Sequence, residues 1–95
     1  MKASTEPKAD ELQAPLVHLN GSGKDHLIDN LCGASQALNG AYEVLRRVCP
    51  NGRDYYPLGS AAMARAEQEH RSRLERLDQI KAEIDAMAEA IADQG

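Results

Sequence analysis

Residues 24–49, KDHLIDNLCGASQALNGAYEVLRRVC, decide the fold. Leu27, Leu31, Ala34, Leu38, Ala41, Leu45 and Val48 recur at alternating steps of four and three, the seam of a helix that packs lengthwise on another helix. Ser22 with Asp25 three residues on resembles a capping box, and Pro50 stops the run, so the spacing predicts a helix over 23–49. A second row with the same spacing, Gly33, Ala37, Gly40 and Val44, lines another face with small residues over which a further backbone can approach closely. These four residues are the expected oligomer interface. The same glycines also fit an exposed helix weakened by roughly 1 kcal/mol each relative to Ala.

Following the chain forward, residues 50–59, PNGRDYYPLG, read as a loop framed by two prolines, and Ser60 is a natural N-cap for a second helix over 60–92. Met63, Ala66, His70, Leu74, Leu77, Ile80, Ile84, Met87 and Ile91 mark its buried stripe. Glu67/Arg71, Arg71/Glu75 and Glu69/Arg73 are i,i+4 pairs on its flanks. A chain folded about the middle of this loop sets His70 against Asn39 and Gly40, where a polar neighbour would satisfy it; a proton-transfer role is the alternative. The second helix outreaches the first by roughly 12 Å. That overhang is expected to leave Ile84 to Ile91 partly uncovered, with Leu16, Val17 and Leu19 as local cover.

Toward the N-terminus, residues 1–15 mix charged and small polar residues with little to bury and read as a flexible tail. Residues 16–95 form the expected helical hairpin domain, all-α and antiparallel. Its core must be thin: the chain has no Phe or Trp and three Tyr, and 15 of its hydrophobic residues are Ala. A two-helix core of this kind is not closed, so assembly into a helical-bundle homo-oligomer is expected, a homodimer or higher.

The formal charge of −4 argues against adhesion to long nucleic acid. No run has the ~18 apolar residues of a membrane span, and the start of the sequence lacks the apolar stretch of a signal peptide, so a cytoplasmic location is expected. Cys32 and Cys49 fall on one predicted helix roughly 25 Å apart and cannot bridge each other. They lack the spacing of a metal site, and no HExxH, GxSxG or Cys/His nucleophile pattern is present. The expectation is a protein without metal or cofactor that is not an enzyme.

Two loops carry the candidate ligand-binding residues. In the first, His18, Asn20, Gly21, Ser22 and Lys24 surround a helix N-terminus, where unpaired N–H groups and the helix dipole favour an anion such as a phosphate. Helix capping alone also accounts for Asn20 to Ser22. In the second, Asn51, Arg53, Asp54, Tyr55 and Tyr56 combine rings and a guanidinium that stack on a base with a carboxylate that accepts from a ribose or base. The structural alternative is a tyrosine plug over the hairpin tip with an Arg53–Asp54 salt bridge. From Val44 to Arg76 seven Arg face four carboxylates, a net +3, whereas Leu77 to Gly95 carries −4. Antiparallel pairing of two copies would set basic tip against acidic end and form a composite pocket from both loops.

The phrases His18-Leu19-Asn20-Gly21 and Asn51-Gly52-Arg53-Asp54-Tyr55-Tyr56-Pro57 look like those of short bacteriophage and prophage proteins. With a short N-terminal segment and two helices about the Pro50–Asp54 turn, the chain resembles small phage-encoded helical-hairpin proteins, among them the anti-CBASS and anti-Thoeris nucleotide sponges. The resemblance implies an oligomeric anti-defence protein of the host bacterial cytoplasm, sequestering a cyclic nucleotide or an ADP-ribose-type signal. A helical protein–protein interaction or phage assembly module without a small-molecule ligand is the alternative.

Overall fold

The computed structural model of the chain describes residues 12–94. The flexible tail expected over 1–15 lies mostly outside them. Among the described residues all regular structure is helical: α1 (Lys24–Arg46), a one-turn helix α2 (Gly52–Tyr55), a 3-10 turn (Tyr56–Leu58) and α3 (Ser60–Ala92). The long helix keeps its expected bounds, while α1 is shorter than its seam predicts. Its last carbonyls, on Val44 and Leu45, accept from the N–H groups of Arg47 and Val48, which closes the helix in a tight turn before Pro50.

α1 packs along α3, and two hydrogen bonds fix how. Lys24 Nζ donates to the Gln94 carbonyl at 2.6 Å, and Ser35 Oγ donates to an Asp85 carboxylate oxygen at 2.5 Å. The start of α1 therefore meets the end of α3, and the helices run in opposite directions. On α1 the covered positions are Lys24, Leu27, Ile28, Leu31, Ser35, Leu38, Tyr42 and Leu45; on the facing part of α3, Leu74, Leu77, Lys81, Ile84, Ala88 and Ile91 form a central stripe, with Ala82, Glu83, Ala86, Met87 and Ala90 also partly covered. The two hydrogen bonds set a register in which facing residue numbers add to about 119, so Ile28 falls opposite Ile91 and Leu45 opposite Leu74. Both helices thus present the same three-four spacing to each other.

This seam corrects the sequence reading by one position. Leu27, Leu31, Leu38 and Leu45 are shared, but Ala34, Ala41 and Val48 are exposed while Ser35 and Tyr42 turn inward. A rotation that covers the Tyr42 ring and Ile28 buries far more apolar area than one that covers two Ala methyls. Ser35 is tolerated because Asp85 receives its hydroxyl proton. Ile80 is likewise exposed on α3, and Lys81 takes its inward place, its ammonium donating to Asp85 at 2.9 Å.

The register also moves the overhang. Ile84 to Ile91 lie opposite the first turns of α1, and Ile91 is fully buried. What α1 does not reach is the start of α3, and the chain from Val48 to Leu58 folds back over it. His70 accordingly falls near register position 49, not against Asn39 and Gly40. Gly59, at φ 97°, makes the reversal into α3 in a conformation that L side chains rarely adopt. It occupies the N-cap position, so Ser60 begins the helix and does not cap it.

At the other end Gln94 holds the incoming chain. Its amide accepts from the Val17 N–H at 2.7 Å and donates to the Pro15 carbonyl at 2.8 Å, the pair of bonds a neighbouring strand would offer. Val17 is half-buried there, while Leu16 and Leu19 stay exposed and cover little.

Asp85 has its carboxyl held below the usual carboxylate range, first by the Ser35 hydroxyl and then by Lys81. A lowered folded-state pKa gives stability that is present at neutral pH and lost as pH falls through the folded-state value. Ser35→Ala is expected to destabilise the fold by about 1 kcal/mol at pH 7 in urea titrations, and the difference from the parent protein should shrink below about pH 4. A pH-independent difference would show that the carboxylate is not the acceptor that matters.

Candidate functional site

The two candidate loops sit at opposite ends of the α1/α3 pair, separated by the ~35 Å length of α1. In the first, a turn bonded from the Gly21 N–H to the His18 carbonyl folds the His18 ring over Gly21. A Cβ at Gly21 would stand 2.7 Å from His18 Nε2, so the absence of a side chain permits this approach. The capping box expected from Ser22 and Asp25 does not form. Gly23 is the N-cap of α1, with no side-chain acceptor over the first N–H groups. Asn20 and Ser22 are exposed, and Lys24 is half-buried with its ammonium engaged by Gln94. The helix start thus offers backbone N–H groups, without the lysine that was to accompany them.

The second loop is ordered by the capping arrangement that the first one lacks. Asn51 is the N-cap of α2: its side-chain oxygen accepts from the Asp54 N–H at 3.2 Å, and its amide donates to the Asp54 carboxylate at 3.1 Å. This exchange uses the Asp54 carboxylate and replaces the alternative Arg53–Asp54 ion pair. Arg53 is exposed, and among the described residues its guanidinium has no hydrogen-bond or ion-pair partner. The sequence signal, Asn with Asp three residues on, was available in the loop but reads there as a plain turn.

The tyrosines diverge. Tyr55 is half-buried and borders an open groove of about 360 Å³ with Ala62, Arg65, Ala66 and Glu69. Tyr56, 81% exposed, borders a different groove of about 370 Å³ with Gly52, Gly59, Met63 and Glu67. The rings therefore flank the start of α3 and do not stack on one ligand together, and Arg53 lines neither groove. Sequence reasoning missed Met63, Glu67 and Glu69 as groove residues because it treated them as stripe and ion-pair positions, and it gave Arg65 no place. Of the ion pairs expected on α3 only Glu69–Arg73 is present among the described residues, at 4.0 Å, and Glu69 also faces Arg65 at 3.8 Å.

The expected interface residues Gly33, Ala37, Gly40 and Val44 are all exposed, with open space over both glycines. Cys32 and Cys49 are exposed thiols. Among the described residues no group of three His, Cys, Asp or Glu side chains could hold a metal ion, and no helix is long and apolar enough to cross a membrane. No protein-family model, curated protein or solved structure matches the chain.

His70 is buried beneath the folded-back segment, and its Nε2 has no hydrogen-bond partner among the described residues, so the neighbour expected to satisfy it is not there. An unmade buried hydrogen bond costs on the order of 1–3 kcal/mol. His70→Leu, close in volume, is expected to leave the thermal midpoint unchanged or raise it by a few degrees. A fall of several degrees would mean that the imidazole holds the loop in place.

Proposed function

We propose that the protein is a non-enzymatic binding protein that works as a homo-oligomer in the cytoplasm and sequesters a small nucleotide signal, of the cyclic nucleotide or ADP-ribose type. The α1/α3 pair is the hairpin unit of that assembly. The observation that carries the reading is the loop end: a capped, ordered turn presents an exposed Tyr56 over a groove with Glu67 on its wall, and the unpartnered Arg53 stands three residues earlier in the same turn. A base stacks on Tyr56, its exocyclic amine donates to Glu67, and Arg53 reaches a phosphate. The N–H groups at the α1 start of a neighbouring copy supply the second anion site. Sequestration needs no acid, base or nucleophile. It lowers the free signal by mass action and so rests on affinity and abundance.

A second reading, a helical interaction module with no small-molecule ligand, is favoured by a different observation: Val44 on α1, Val48 in the turn that closes it and Ile80 on α3 expose apolar surface. Isothermal titration separates the two. Cyclic dinucleotides, cyclic trinucleotides and ADP-ribose isomers are titrated into the full chain, and one class is expected to bind at micromolar affinity or better. Arg53→Ala with Tyr56→Ala should weaken that binding at least tenfold, a loss of about 1.4 kcal/mol. Absence of heat with every class, or binding indifferent to the double variant, overturns the nucleotide reading and leaves the module.

A further inference from the structure

The Ser35–Asp85 hydrogen bond marks one broad face of the α1/α3 pair, and the opposite face has a different character. At about 100° per residue, Ala37, Ala41 and Val44 fall on that opposite face of α1, with Val48 just past its end, and Ile80 and Met87 fall on the matching flank of α3. Val44 is 59% exposed, Val48 64% and Ile80 46%, so the exposed large aliphatics of the two helices and the turn closing α1 share one side. In this register Ile80 lies opposite positions 38 to 40, about 7.5 Å along the axis from Val44. The Ser35 face carries Glu67, Arg71, Glu75, Asp78, Asp85 and Glu89, while Glu69, Arg76 and Glu83 border Ile80 and Met87 on the opposite flank of α3.

We infer that a second copy of the chain docks over the exposed aliphatics Val44, Val48 and Ile80, antiparallel to the first, closing a four-helix bundle with the charged residues beside them at its rim. This rests on the self-assembly part of the proposed function. It replaces the single row on α1 by a surface that both helices build, with Gly33 and Gly40 at its edge. Charge chooses the occupant and its direction. The loop end, residues 44–76, has seven arginines against four carboxylates. The far end, residues 12–34 with 84–94, has one lysine against five carboxylates. Antiparallel copies set each +3 end beside a −4 end, whereas parallel copies set like on like. The size is also sufficient: a face ~35 Å long and two helices, ~20 Å, wide offers roughly 700 Å², close to one partner's share of a standard interface. Antiparallel docking further carries the α1 start of one copy toward the partner's loop end.

Sedimentation equilibrium of the full chain tests this together with Val44→Glu/Ile80→Glu, two substitutions at exposed positions. The parent protein should sediment as a dimer, and the double variant as a helical monomer with its dissociation constant raised at least ~100-fold by unpaired charge in the interface. A monomeric parent protein overturns both the inference and the assembly it rests on. A parent dimer indifferent to the double variant overturns the face alone. Direction is read independently from a spin label at Leu58→Cys with Cys32→Ser and Cys49→Ser. Antiparallel docking places the two labels beyond about 45 Å, and a separation under about 30 Å overturns it.

Discussion

The register of α1 on α3 is the constraint from which the rest of the structure follows. The register places Ile28 opposite Ile91 and Leu45 opposite Leu74, and a polar bridge holds the middle, where Asp85 receives both Ser35 and Lys81. Slipping one helix by a residue would turn the seam away from its partner and strand Ser35 and Lys81 without their acceptor. Because the start of α1 is anchored at Gln94, the whole excess length of α3 falls at the loop end. That leaves the first turns of α3 for the segment after α1 to cover, and it explains why Ala66 and His70 are buried although α1 ends at Arg46.

Much of this was legible in the chain. The bounds of α3 follow from a stripe repeated over nine apolar or inward positions between Gly59 and the final residues, a signal long enough to average out individual exceptions such as Ile80. The seam of α1 was legible only to within one residue. Its leucines serve either rotation, and the choice lies in whether Tyr42 or Ala41 is covered, a matter of buried area that depends on the partner helix. The turn of α2 was written in Asn51 and Asp54, yet a similar pair at Ser22 and Asp25 forms no cap. The difference lies in the backbone: Asn51 itself stands at the N-cap, whereas Gly23 takes that place in α1.

The candidate site was legible in its residues and not in its grouping. Sequence alone placed Tyr55, Tyr56 and Arg53 in one kit, but the one-turn helix α2 and the 3-10 turn send the two rings to opposite sides of α3. Lys24 reads as an anion ligand until the register brings the Gln94 carbonyl to its ammonium. Both outcomes depend on how far along α3 the chain turns back, which local pattern does not encode. In the proposed dimer the thin aliphatic seam and the chemistry of the loop end meet: a second copy over Val44 and Ile80 would carry a helix start toward the exposed tyrosine.

The most direct measurement is the set of methyl nuclear Overhauser contacts across the seam in solution. The account predicts contacts between Ile28 and Ile91 and between Leu45 and Leu74, the outermost layers of the register. Contacts of Ile28 with Ala82 and of Leu45 with Ala66, the pattern of a chain folded about the middle of its loop, would contradict it.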